Sequence, residues 1–321
     1  MTDQSRYLPS EADAAQLVLK LLNVQPLQVN RFRTGLAHYV YDVTTTDQQH
    51  VVVRMAESNP ASLNGAVYWS QRLRPFNLPL PALLGDDRHA RLTPFPALIL
   101  EYLPGTDLGH VYHLLSRTQK VILAAELAQI QRHVATLPRG PGYGYAISYE
   151  DRGLLPTWAD VIEQSLTRSQ TRIAALGRVS VAYVERLRAL MPTFSAYFSS
   201  IPPTAFLDDT TTKNVLISEG RLSGIVDVDY VCFGDPLFTV ALTQMALLSM
   251  GADLDYTDAW CDALALDARQ RAVLTFYTCL FCVDFLSEVG HIANQNNDTA
   301  NDDQRIKPLR TVFESLIHAI G

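Results

Sequence analysis

The sequence predicts an α+β fold of two lobes: a small antiparallel-sheet lobe over residues 1–103 and a large, mostly helical lobe over residues 104–321. Apolar and polar residues alternate between positions 27 and 55, the period of half-buried strands. From residue 108 onward the apolar positions recur with helical spacing. Between the two patterns lies "EYLPG", residues 101–105, a Pro/Gly connector.

A helix is predicted first, over residues 11–22. "LQVNRFR", "HYVYDVTT" and "HVVVRMA" follow as three strands, joined by a turn at Thr34-Gly35 and a hairpin turn at Asp47-Gln48-Gln49. A second helix covers residues 63–73, and "PLPALLGDD" and "PALILEYL" supply two more strands. In the large lobe "TQKVILAAELAQIQRHVATL" and "VAYVERLRALMPTFSAYF" read as helices. A hairpin then interrupts them: residues 215–217 and 224–226 are short branched apolar runs joined by the polar turn 218–221. Three further helical segments run to Gly321.

Composition narrows the function classes. The chain is 48% hydrophobic and 18% charged, ordinary for a globular protein. A net charge of −7 would repel phosphate backbones, which argues against a nucleic-acid partner. The longest greasy run, "FTVALTQMALLSM", is too short for a membrane span, and "MTDQSRYLPSEADA" lacks the basic start and apolar stretch of a secretory signal. Four cysteines in a chain of 321 residues fit a reducing cytoplasm, and the Cys279/Cys282 pair, inside an apolar helical run, reads as buried thiols. "GPGYG" at residues 140–144 follows a helix and opens none, so it reads as a loop rather than a dinucleotide fingerprint. No GxxxxGK[ST], GxSxG or HExxH pattern occurs.

The chemistry concentrates at one end of the hairpin. Asp208, Asp209 and Asn214 precede its first strand, and Asp227 and Asp229 follow its second. Carboxylates crowd together when something positive compensates them, most often Mg²⁺ bound to phosphates, and Mg²⁺ takes one or two carboxylates plus phosphate oxygens. Asn214 and Asp227 are placed to share such an ion. Asp209, five residues before Asn214, is placed to accept a hydroxyl proton from a second substrate. An Asp-Asp pair also caps turns, and the spacing to Asn214 and Asp227 favours the catalytic reading.

These residues resemble the aminoglycoside phosphotransferase and choline kinase group, small-molecule relatives of the protein kinases. The group's catalytic loop, roughly H-G-D-x-x-x-x-N, is similar to Leu207-Asp208-Asp209-Thr-Thr-Thr-Lys-Asn214, and its metal motif to Val226-Asp227-Val228-Asp229 with Gly234-Asp235-Pro236. "ALILEYLPGTDL" resembles its hinge and "LPLPALL" the strand before it. The resemblance implies a bilobal protein-kinase-like fold, ATP or GTP as co-substrate, Mg²⁺, and a small hydroxylated acceptor. It implies Asp209 as catalytic base, Asn214 and Asp227 on the metal, and Asp229 on a second ion or bound water. Arg54 stands in the position of the phosphate-binding base, Gly35 in a loop over the phosphates, and Glu101 and Leu103 at the adenine. Lys213 either contacts phosphate or neutralises Asp208. Asp235 is expected to tie down the catalytic loop.

Departures from the pattern raise a second reading, a catalytically silent nucleotide- or ligand-binding protein. Leu207 replaces the loop His, Asp208 replaces Gly, and "SLNGAVYWSQRL" offers no acid to pair with Arg54, leaving Glu57 as a substitute. Retention of Asp209, Asn214 and Asp227 favours an active kinase. Asp284 and Glu288, four apart on the apolar helix "FYTCLFCVDFLSEVG", are either a solvated face or the carboxylates that recognise an amine-bearing, aminoglycoside-like acceptor.

Overall fold

The strand periodicity of the first lobe is realised as a five-stranded antiparallel sheet. The computed structural model describes residues 8–32, 38–289 and 302–320. The predicted Thr34-Gly35 turn lies outside the described residues. The sheet comprises β1 (Pro26–Phe32), β2 (Tyr39–Thr45), β3 (His50–Met55), β4 (Leu83–Asp87) and β5 (Ala97–Glu101), in the order β1-β2-β3-β5-β4. Its alternation decides which side chains face where. Tyr41, Val43, Val51, Val53 and Met55 pack against α1 (Glu11–Leu22) through Ala14, Leu17 and Val18. Arg54, between Val53 and Met55, is thereby turned to the opposite face.

Helix α1 starts where its capping box sets it: Ser10 Oγ accepts from Asp13 N, and Asp13 accepts from Ser10 N. Helix α2 (Asn64–Leu73) covers the other side of the sheet, with Val67 against Leu98. Although early in the chain, α2 also buries Trp69 and Leu73 in the core of the large lobe, where Trp69 Nε1 donates to the Ala146 carbonyl at 2.7 Å. Burying a large apolar side chain is worth roughly 1.5–3 kcal/mol, so these two fasten the lobes together.

The large lobe is built from β6 (Thr106–Asp107), α3 (Leu108–Val111), α4 (Arg117–Val134), β7 (Gly144–Ala146), α5 (Trp158–Leu176), α6 (Ala182–Phe198), β8 (Thr204–Phe206), β9 (Val215–Ser218), β10 (Arg221–Ile225) and β11 (Val231–Gly234). It closes with α7 (Leu237–Ser249), α8 (Asp255–Ala263), α9 (Ala268–Ser287) and α10 (Asp302–Ile317). Three helical segments are expected after the hairpin; the described residues hold four. The additional one is α8, whose short acidic stretch hides Tyr256 and Trp260 in the core. Capping boxes set the starts of α4 (Ser116/Gln119), α5 (Thr157/Asp160) and α9 (Asp267/Gln270).

The predicted hairpin is β9–β10, with Glu219 and Gly220 both at positive φ (51° and 75°). That is the two-residue turn whose twist matches antiparallel strands. Two three-stranded sheets, β10-β9-β6 and β7-β11-β8, carry the loops of the cleft. Asp235 is buried behind them, accepting from Leu237 N (3.1 Å), Tyr197 Oη (2.9 Å) and Tyr277 Oη (3.0 Å). It therefore joins α6 and α9 to the start of α7, rather than holding the catalytic loop as its sequence position suggested. All four cysteines are free and buried, and among the described residues no helix is long and apolar enough to cross a membrane.

Candidate active site

The turn between β8 and β9 gathers the polar residues picked out in the sequence. Thr210, Thr211 and Thr212 are buried and fix the loop, with Thr212 O accepting from Gly109 N at 2.8 Å. Thr211 Oγ1 donates to Asp209 Oδ1 (2.9 Å), and Asn214 Nδ2 donates to the Asp209 carbonyl (3.0 Å). The Asn214 amide nitrogen is thus committed, while its Oδ1 takes no hydrogen bond among the described residues. Burial raises the Asp209 carboxyl above its ordinary value and Thr211 opposes the rise, so the group is a stronger base than a free carboxylate.

The family-type loop His is absent, and a residue that the sequence reading did not single out does the holding. Gln131, buried on α4, accepts from Leu207 N (2.9 Å) and donates to Leu207 O (2.8 Å) and Thr210 Oγ1 (3.1 Å). Its only sequence signal was a polar residue at a buried helical position.

At the mouth of the hairpin, Val226 N donates to Asn214 O at 2.9 Å, so Asn214 and the next residue, Asp227, sit side by side. Asp227 has φ of 64°, and its side chain is 53% exposed. Left-handed backbone is tolerated by Asp better than by most residues, and here it turns the carboxylate away from the strand. One carboxylate and one amide oxygen at adjacent positions fit Mg²⁺, whose remaining ligands are phosphate oxygens and water.

Arg54 reaches this loop from β3. Nη1 donates to Asp229 Oδ1 at 2.6 Å, Nη2 donates to Asp229 Oδ2, and Nη2 lies 3.1 Å from Asp227 Oδ1. The acid expected from α2 or from Glu57 is supplied instead by Asp229. Gly65 of α2 packs on the Asp229 backbone so closely that a Cβ there would overlap the carbonyl oxygen, which seats this loop against the sheet lobe. Both Asp229 oxygens are taken by Arg54, which draws the residue away from the second-ion role. Burial raises the Asp229 carboxyl, and the Arg54 charge opposes that rise. His38 completes the cluster; burial and Arg54 lower it to about 4, so its neutral ring accepts from Arg54 at Nδ1 (2.7 Å) and meets Ser62 Oγ through Nε2 (3.0 Å).

Among the remaining predicted residues, Gly35 lies outside the described residues, and Lys213 is exposed beside Asn214. Glu101 is occupied: its N–H donates to Ala82 O (2.8 Å), and its Oε2 accepts from Ala82 N (3.1 Å). Leu103, packed against Gly224, has no backbone hydrogen bond among the described residues. Asp284 accepts from Arg168 (2.8 Å) and Ser169 (3.1 Å), and Glu288 faces Arg172 at 3.6 Å. Asp284 of the apolar helix α9 and Glu288 just past its end are therefore compensated by arginines of α5, which sequence spacing did not reveal.

Asp208, enclosed on most sides with only part of its surface at solvent, is raised from its ordinary value near 3.8 to about 8 by burial and by Asp209. Its folded state holds a proton that the unfolded chain releases. This contribution to stability is full below about pH 4 and is lost as pH rises through about 8. Urea unfolding across that window should show wild type losing more stability than Asp208→Asn; parallel pH profiles would mean that Asp208 ionises normally.

Residues 28–274 match the sequence model described as the phosphotransferase enzyme family. The fold is similar to that of a thermostable mutant of aminoglycoside phosphotransferase APH(4)-Ia, with TM-score 0.69, 16% identity, and coverage of 95% of this chain and 98% of that one. It is also similar to APH(2″)-IIa in its streptomycin–ATP ternary complex, at TM-score 0.63 and 13% identity over 98% and 99% of the two chains. A Thermobifida fusca YX-ER1 protein assigned as a fructosamine-3-kinase gives TM-score 0.60 and 15% identity over 94% and 98%. No curated protein sequence matches the chain.

Proposed function

The chain belongs to the phosphotransferase enzyme family, and on that premise we propose that it transfers the γ-phosphoryl group of ATP or GTP to a hydroxyl of a small molecule. The observation that carries this reading is the joint placement of Asp209, Asn214 and Asp227 around one cleft-facing turn, with the Asp209 carboxylate held by Thr211 and its carbonyl by Asn214. Phosphoryl transfer needs little covalent work from a protein; it needs positioning and charge stabilisation. Asp209 accepts the proton of the attacking hydroxyl and orients it toward the phosphorus. Asn214 Oδ1 and Asp227 would hold Mg²⁺, which when bound would neutralise charge on the nucleotide phosphates. Arg54, kept cationic beside Asp227 and Asp229, faces the same phosphates. The Leu103 backbone takes the base of the nucleotide at the hinge, and Lys213 stands at the rim of the phosphate site.

The test is ADP or GDP release in the presence of Mg²⁺ across a panel of hydroxylated metabolites and antibiotics. Acceptor-dependent release above that of the Asp209→Asn protein supports the reading. Tight Mg·nucleotide binding with no transfer to any acceptor favours the silent binding protein suggested by Leu207 and Asp208. The metal assignment has its own test. Asp227→Ala removes a hard, charged ligand, so calorimetry should show Mg²⁺-dependent nucleotide affinity falling about tenfold or more; unchanged affinity would displace Asp227 from the metal.

A further inference from the structure

The Arg54 guanidinium presents its N–H protons in a fixed planar fork, with two of them on Nη2. Nη2 donates one to Asp229 Oδ2 and the other to His38 Nδ1 at 2.7 Å. Asp227 Oδ1 also lies 3.1 Å from Nη2, close enough to feel its charge, yet both protons of that nitrogen are already given away. Nη1 donates to Asp229 Oδ1 at 2.6 Å, so one Nη1 proton and the Nε proton remain without an acceptor among the described residues. Three acceptors thus compete for the two protons of Nη2. The histidine holds the place that the Asp227 carboxylate would otherwise take.

A neutral imidazole can hold that place only as the tautomer that leaves Nδ1 bare. Its surroundings select that form. Ser62 Oγ lies 3.0 Å from His38 Nε2 and donates its own proton to the Asn59 carbonyl at 2.7 Å. A hydroxyl has one proton to give, so Ser62 accepts from His38 Nε2–H, and the ring proton is kept off Nδ1. One direction of donation runs throughout, from Arg54 to His38, from His38 to Ser62 and from Ser62 to Asn59. The far end is fixed: Asn59 caps the one-turn helix Pro60–Leu63 by accepting from Ala61 N at 3.0 Å, and Leu63 is buried beside Leu98 of β5. His38 itself is only 7% exposed, which leaves little room for water to replace the imidazole as acceptor.

On these contacts, and resting on the phosphotransferase reading above, we infer that His38 is a positioning residue of the nucleotide site: it takes the second Nη2 proton of Arg54 and so keeps the Asp227 carboxylate open to Mg²⁺. Ser62 acts one step further back, by fixing the tautomer. Without His38 the freed Nη2 proton turns to Asp227 Oδ1, and the metal then has to break a charge-assisted hydrogen bond in order to bind.

The experiment compares the wild-type chain with His38→Leu and His38→Asn, using ATP and GTP as probes. Calorimetry with Mg²⁺ and with EDTA separates metal-dependent from metal-free nucleotide affinity. His38→Leu should weaken the Mg²⁺-dependent affinity about tenfold, the size of one charge-assisted hydrogen bond, with metal-free affinity within about twofold of wild type. In His38→Asn the side-chain Oδ1 stands in for Nδ1, and affinity should return to within about threefold of wild type. In an Asp227→Ala background His38→Leu should add no further loss, because the carboxylate that Arg54 would capture is gone. A purely structural role would instead lower both affinities together. Nitrogen NMR of the wild-type imidazole needs no variant to fold: Nε2 should carry the proton and Nδ1 none. Equal losses with and without Mg²⁺, unchanged affinity in His38→Leu, no recovery in His38→Asn, a full loss in the Asp227→Ala background or a proton on Nδ1 overturns the inference. Each of these leaves the phosphotransferase reading standing, since none bears on transfer by wild type. Wild type that shows the expected variant effects but transfers to no acceptor overturns that reading alone, and wild type that binds no Mg·nucleotide overturns both.

Discussion

Asp209→Asn is expected to reduce kcat by roughly 100-fold or more while nucleotide affinity stays close to wild type. The substitution is nearly isosteric. It keeps an oxygen able to accept from Thr211 Oγ1, and the Asn214 contact is to the backbone carbonyl, which the change does not touch. What is lost is the group that takes the hydroxyl proton, a function made in the transition state and not in nucleotide binding. The effect should therefore fall on kcat, with nucleotide Kd by calorimetry as the control. Near-normal turnover in the variant would remove Asp209 from the role of base and would leave the loop with no other carboxylate so held.

The second large effect concerns stability. Arg54 and Asp229 are each only 8% exposed, and they meet through two parallel hydrogen bonds. Breaking a buried pair by removing one partner costs about 3–5 kcal/mol, because the other charge is left desolvated and unpaired. Asp229→Ala should therefore lower the unfolding free energy by an amount near the bottom of that range, since Asp227 at 3.1 Å from Arg54 takes up part of the compensation. The paired variant Arg54→Met with Asp229→Leu should regain most of the stability, because the desolvation cost disappears with both charges. It should not regain transfer, because the cation proposed to face the phosphates is gone. Urea unfolding and ADP release measured on the same three proteins separate these outcomes. If Asp229→Ala instead weakened Mg·nucleotide binding with no loss of stability, Asp229 would be a metal ligand as its sequence position first suggested.

Much of this was legible in the order of residues, and the reason is local. Alternation over residues 27–55 produced strands, and the Glu219-Gly220 turn produced the β9–β10 hairpin. These are properties of neighbouring residues, set by periodicity and by which side chains tolerate positive φ. The spacing of Asp209, Asn214 and Asp227 is local in the same sense. Five residues of loop and one short hairpin bring the three together wherever the rest of the chain goes, so the sequence alone determined this end of the candidate site.

The partners of those residues were decided only by the tertiary structure. Arg54 is joined to Asp229 across 175 positions, Gln131 to Leu207 across 76, and Arg168 to Asp284 across 116. No periodicity links such positions, because packing of α2, α4 and α5 against the large lobe selects them. Gly65 shows the mechanism: it lets α2 press onto the Asp229 backbone, in a loop whose Asp227 and Asp229 carboxylates both meet Arg54. A charge withdrawn from water must take whichever opposite charge the packed chain brings within hydrogen-bond distance, and that distance is a property of the fold rather than of the order of residues.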